Sequence, residues 1–165
     1  MAYRGKERRR YERFDMETRV DYQLVTKVKF RVLDKQEARA SAEKCSGISR
    51  NISAEGMRFI SDKKLRKGDR LKLEVFLPGS RKPIPMSAEV MWSKEIFPYE
   101  EGGLKFDTGV RLLRVRSRSV AKSIHIDRKY KEPWSIVLDS ILGGFHRSLH
   151  KAMVRKRKFS SEALR

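Results

Sequence analysis

The sequence predicts a mainly β protein: a six-stranded antiparallel barrel or sandwich, preceded by a charged arm and followed by a helical extension. Three observations predict this. Between Thr18 and Leu113 apolar residues alternate with polar ones in short runs, the period of half-buried strands. Turn-forming residues separate the runs, at Ala54-Glu55, Lys67-Gly68-Asp69 and Gly102-Gly103. Beyond Leu113 the apolar spacing changes to three and four, which places residues on one face of a helix. The chain therefore divides into an arm over residues 1–17, a β domain over 18–115 and an extension over 116–165.

Taken in order, Arg19 to Val32 alternates through Val20, Tyr22, Leu24, Val28, Phe30 and Val32 and predicts a long or bent first strand. Residues 33–44 are polar and Ala-containing, which predicts a connection with a helical turn. Ile48 to Ser53 and Gly56 to Ile60 read as paired short strands around Ala54-Glu55. Leu71, Leu73, Val75 and Leu77 alternate after the Gly68 turn, and Met86, Ala88, Val90 and Trp92 alternate again. That pattern places Trp92 in the core. Leu104 to Leu113 supplies the last strand. Val115 to Lys131 is basic with a partly helical pattern that stops near Pro133. A second helix then opens at Trp134, with Leu138, Ile141, Phe145 and Leu149 on one face. Gly143-Gly144 inside it costs about 1 kcal/mol per Gly relative to Ala, so that helix needs a packing surface.

At 165 residues the chain has room for one ordinary domain and an appendage, and 39% hydrophobic residues supply a modest core. Residues 1–13 are charged with no apolar run behind them, unlike a secretory signal. No stretch approaches the ~20 apolar residues of a membrane helix. The single cysteine, Cys45, has no partner for an internal disulfide or a metal site and fits a reducing cytoplasm. A soluble cytoplasmic protein is expected.

Net charge is +19, and the excess is at the ends. Residues 1–13 carry six Arg/Lys against two Glu, and residues 114–165 carry fourteen bases against four acids. The intervening residues are nearly balanced, with twenty bases and fifteen acids. An anionic partner approached by the flanks is expected: a nucleotide, nucleic acid, acidic protein or anionic membrane.

Two short motifs narrow that choice. Glu7-Arg8-Arg9-Arg10-Tyr11-Glu12-Arg13-Phe14 contains Arg-x-x-x-Arg at Arg9 and Arg13. Asn51-Ile52-Ser53-Ala54-Glu55-Gly56 is Asn-x-Ser-x-x-Gly. Alone, the first is an ordinary spacing in a charged tail and the second an ordinary turn composition. In this order, with a first strand between them, they resemble the PilZ family of cyclic di-GMP receptors. Lys67-Gly68-Asp69, Ala88-Glu89-Val90-Met91-Trp92 and Gly109-Val110-Arg111-Leu112-Leu113 extend the resemblance over about residues 6 to 120. It implies a PilZ-like β-barrel with a flexible arginine arm, whose ligand residues are Arg9 and Arg13 on the arm and Asn51, Ser53 and Gly56 on the barrel. Arg8, just before the arm motif, and Arg10, inside it, are further candidate ligand-binding residues. In related receptors a basic residue just before that motif favours an intercalated pair of ligand molecules, and Arg8 occupies this position.

The residue types suit the ligand on their own chemistry. A guanidinium grips phosphate oxygens bidentately, pairs with the O6 and N7 edge of guanine and stacks on a base. Asn51 and Ser53 are two apart on a strand and share a face, where an amide and a hydroxyl supply directed hydrogen bonds. Gly56 suits a turn with φ > 0, or a backbone that approaches its neighbour without a Cβ. Tyr11 and Phe14 are expected to anchor the arm on the barrel.

No Walker loop, Gly-x-Ser-x-Gly or nucleophile–base set is present, and a non-enzymatic effector without cofactor is expected. His146 and His150 have a spacing that zinc can use, but no further ligand joins them in a recognised pattern. The rival reading is a basic nucleic-acid-binding β-barrel, which lacks the interleaved aromatics of a single-strand binder. For the C-terminal helix and the run Arg155-Lys156-Arg157-Lys158, packing on the barrel or on a second copy is the first expectation. A protein or nucleic-acid partner and an anionic membrane surface are the others.

Overall fold

Alternation closes on itself in the computed structural model, which describes residues 10–29, 36–40, 43–96, 103–128 and 131–143. The strands are β1 (Phe14–Asp15), β2 (Arg19–Lys29), β3 (Gln36–Ala40), β4 (Cys45–Ile52), β5 (Gly56–Ser61), β6 (Arg70–Val75), β7 (Ile84–Ile96), β8 (Lys105–Val115) and β9 (Arg118–Ser119). After them come α1 (Val120–Ser123), a small pair β10 (His125–Ile126) and β11 (Pro133–Trp134), and α2 (Ile136–Leu142). Six strands run antiparallel in the order β4-β5-β8-β7-β6-β2, and β2 returns to β4, from Arg19 opposite Ile48 to Tyr22 opposite Cys45. The result is a closed six-stranded barrel with β1, β3 and β9 as additional strands. Closure removes the exposed edges an open sheet would present.

The inward residues are those the alternation selects. Val20 and Tyr22, Met57 and Phe59, Leu71, Leu73 and Val75, Met86, Ala88 and Val90, and Leu112 and Val115 are all buried. Each large aliphatic or aromatic side chain removed from water contributes about 1.5–3 kcal/mol. The polar groups that enter are satisfied. Tyr22 donates its hydroxyl to Asp62 at 2.7 Å, and Thr108 lies 3.2 Å from the Ser61 hydroxyl and 3.0 Å from that of Ser93.

Asp21 is buried on β2, where desolvation alone would raise its pKa. Hydrogen bonds from Arg19 at 2.9 and 3.0 Å and from Ser46 at 2.7 Å overcome that and hold the carboxyl below its ordinary value. A carboxyl whose pKa is lowered by folding stabilises the fold above its unfolded value near 4, and that contribution disappears as pH falls through the folded value. Asp21→Asn is therefore expected to flatten the drop in urea midpoint between about pH 5 and pH 2. An acid dependence identical to that of the wild type would contradict this assignment.

Three expectations are corrected. Residues 36–40 form a strand paired with the second half of β2, Val25 opposite Ala40 through Lys29 opposite Gln36, and not a helical connection. The helical pattern expected over Val115 to Lys131 reduces to the single turn α1, capped by Ser119. The last helix begins at Ile136 because Ser135 caps it, and Trp134 instead pairs with His125. Its apolar face packs on the barrel, with Val137, Leu138 and Ile141 buried. Phe145, His146, Leu149, His150 and the run at 155–158 lie outside the described residues. Among the described residues no helix is long and apolar enough to cross a membrane, and no cluster of three or more His, Cys, Asp or Glu is placed to hold a metal.

Candidate functional site

Cross-strand register assembles the site. Asp15, Asn51, Arg58, Gly109 and Trp92 form one continuous rung across β1, β4, β5, β8 and β7. The next rung, Phe14, Ile52, Met57, Val110 and Val90, faces the core. The one after it brings Gly56, Arg111 and Glu89 side by side. Facing alternates from rung to rung because strand side chains have a period of two.

Two β-bulges border the site. Arg50 is the extra residue between Ser49 and Asn51, and Met91 the extra residue between Val90 and Trp92. An inserted residue reverses the facing of its successors along the strand. The bulge at Met91 therefore takes Trp92 out of the core register that Met86, Ala88 and Val90 predict. Its indole is only partly buried and lies against Gly109, whose missing Cβ makes room for the ring. Lys94 Nζ stands 5.7 Å from the ring centroid.

The turn after β4 is held from inside. Ser53 donates its N–H to the Gly56 carbonyl at 2.8 Å, and its Oγ accepts the N–H of Gly56 at 3.0 Å and of Glu55 at 3.4 Å. The Glu55 carbonyl accepts from Leu112 N–H at 2.7 Å. Gly56 has no positive φ; the described glycines with that conformation are Gly68, Gly79 and Gly103. Glycine at 56 instead eases a close approach, since a Cβ there would stand 3.0 Å from the Val110 carbonyl oxygen.

The arm reaches the site along β4. Tyr11 and Phe14 pack against the core as anchors, and Phe14 and Asp15 pair with Ile52 and Asn51. Buried Ser49 ties the same segment down, donating to the Met16 carbonyl at 2.6 Å and accepting the Thr18 N–H at 2.9 Å. Arg13, one residue before β1, is thereby delivered to the barrel motif. Arg13, Asn51, Ser53 and Gly56 line one cleft of about 180 Å³ with Arg58 and Trp92. Arg10 lies 5.5 Å over the Tyr11 ring and does not line this cleft. Arg8 and Arg9 lie outside the described residues.

Arg58, Gly109 and Trp92 are the residues sequence reasoning missed. Arg58 donates Nε to Asp107 at 2.7 Å, which ties its guanidinium to β8, and its backbone lies between Asn51 and Gly109 in register. The cleft thus combines two guanidiniums, an amide, a hydroxyl and an aromatic face, which suits a planar, anionic, hydrogen-bonding ligand. A larger cleft of about 640 Å³ around Gly47 and Ile48 contains neither motif. Of its three lining cations, Arg19 and Arg50 are ion-paired with Asp21 and Glu17, and Lys105 is the third.

The family model of the PilZ domain matches residues 7–121. The chain belongs to the PilZ domain family. Both motifs of the cleft fall inside the matched PilZ region. Among solved structures, the PilZ domain with c-di-GMP of YcgR from Escherichia coli is similar at 17% identity and a TM-score of 0.43. That match covers 66% of this chain and 79% of the other. The inhibitor of motility MotI/DgrA from Bacillus subtilis is similar at 22% identity and a TM-score of 0.42, covering 68% of this chain and 45% of its own. No curated protein matches the chain.

Proposed function

We propose that this PilZ protein is a non-enzymatic receptor for cyclic di-GMP. One observation carries the reading: Arg13 of the arm motif and Asn51, Ser53 and Gly56 of the barrel motif, distant in sequence, line a single cleft. Arg9 and Arg13 close over the ligand from the arm, with Arg8 and Arg10 adding charge. Asn51 and Ser53 hydrogen-bond a guanine or its phosphate. Gly56 keeps the turn tight, Arg58 supplies a guanidinium from the barrel wall, and Trp92 offers a face on which a base stacks. The basic Arg8 favours a pair of ligand molecules per site.

The arm is the bistable element. Repulsion among Arg8, Arg9, Arg10 and Arg13 opposes closure without ligand, and two phosphate charges reward it. Closure alters the surface that a partner, or a second copy of the chain, reads.

The test is calorimetric titration of the purified chain with cyclic di-GMP, with GMP and cyclic AMP as controls. Saturable heat with the cyclic dinucleotide alone, at a stoichiometry of a ligand pair, is expected. Base specificity should persist at raised salt. Absence of heat, or affinity that collapses with salt for any polyanion, rejects the receptor in favour of a basic nucleic-acid binder.

A further inference from the structure

We infer that Ser135, the cap of the C-terminal helix, is a positioning residue for the ligand turn, and that it couples α2 to occupancy of the cleft. The inference rests on the receptor reading above. Ser135 is fully buried, and its Oγ donates to the Ala54 carbonyl at 2.5 Å while accepting the Val137 N–H at 3.2 Å. Ala54 lies inside the Asn51–Gly56 motif and is itself buried.

The Ala54–Glu55 peptide group is shared between the two sides. Its carbonyl accepts from Ser135, and its N–H donates to Ser53 Oγ at 3.4 Å. A peptide group is planar and moves as a unit. A ligand that pulls on Ser53 therefore reorients the carbonyl held by Ser135, and through Ser135 the first turn of α2. The chain of contacts runs from cleft wall to helix without a break: Ser53 Oγ, the Ala54–Glu55 peptide, Ser135 Oγ, Val137 N–H.

Burial of α2 does not require this arrangement. Val137, Leu138 and Ile141 already seat the helix, and Ile136 N–H is capped separately by Ser123 Oγ at 3.0 Å. What Ser135 adds is a donor for the turn's buried carbonyl, which would otherwise be left unsatisfied. Without it the turn loses one of its fixed orientations, and Ser53 is no longer held in the geometry the ligand uses. Linkage makes the effect reciprocal: whatever factor Ser135 gives to ligand affinity, ligand returns to the helix cap.

The experiment uses the full chain with cyclic di-GMP as probe. Affinities of wild type, Ser135→Ala and Ser135→Thr are measured by calorimetry beside their urea midpoints. Amide exchange of Val137 in the wild type is followed with and without saturating ligand. Ser135→Ala is expected to bind about tenfold more weakly, with Ser135→Thr recovering most of the loss because it keeps the hydroxyl. Val137 exchange is expected to slow by a similar factor on saturation. Wild-type affinity in Ser135→Ala, or a Val137 exchange rate that ligand leaves unchanged, overturns the coupling. The exchange experiment decides alone if Ser135→Ala does not fold. A wild-type chain that fails to bind cyclic di-GMP rejects the receptor reading itself, and the coupling with it, before any variant is made.

Discussion

Ser53→Ala is expected to weaken cyclic di-GMP binding by about 10²-fold or more while the barrel stays folded. Two losses combine. The hydroxyl is a hydrogen-bonding group at the cleft wall, and a bond to a charged ligand is worth about 1.5–3 kcal/mol, or one to two factors of ten. The same Oγ accepts the N–H groups of Gly56 and Glu55, so its removal also loosens the turn that presents the cleft. The barrel survives because Ile52, Met57 and Phe59 on the neighbouring inward positions are untouched. Arg13→Ala should lose a comparable factor by a different route, since Arg13 reaches the cleft from outside the β4–β5 turn. Loose binding of an unrelated polyanion should change little in either variant, because it depends on the +19 net charge and not on one group. Calorimetry against cyclic di-GMP and heparin in parallel separates the two effects. Equal losses for both ligands would mean that these residues act as bulk charge.

Gly109→Ala carries the second large effect. A Cβ at this position overlaps the Trp92 indole, of which even the more distant Cζ2 would stand 2.7 Å away. The ring borders an open cleft and can swing outward, so the stability loss should sit near the low end of overpacking, about 1 kcal/mol. Ligand affinity should fall much further than stability, by about tenfold or more, because a stacked base is worth about 1–3 kcal/mol. A red shift in tryptophan emission should accompany the change as the indole enters water, while Trp134 remains buried. Undiminished affinity with the red shift present would remove Trp92 from the site.

Local features are legible in the sequence, and features made by register are not. The strands carrying Leu71, Leu73 and Val75, or Met86, Ala88 and Val90, declare themselves by alternation, because one face of each is buried. Arg13, Asn51, Ser53 and Gly56 are legible by type and spacing. Their convergence depends on Phe14 and Asp15 pairing with Ile52 and Asn51, which no local pattern encodes. Alternation carried through Met91 puts Trp92 in the core, whereas the bulge there reverses its facing. Arg58 is one of many arginines in sequence; only its register between Asn51 and Gly109 singles it out. The strand at Gln36–Ala40 has polar and alanine residues with no β-branched signal, and its pairing to β2 is a backbone matter. Ser135 reads in sequence only as a helix cap, since its partner Ala54 lies eighty-one residues away.

Mapping the ligand onto the chain by two-dimensional ¹⁵N–¹H spectra during titration with cyclic di-GMP tests the central claim most directly. Saturable shifts are expected at the amides of Asn51, Ser53, Gly56, Arg58 and Gly109 and at the Trp92 indole N–H. Gly68 and Gly79, in turns away from the cleft lining, should stay in place. Shifts confined to the Gly47–Ile48 cleft, or absent from both motifs at saturation, would contradict it.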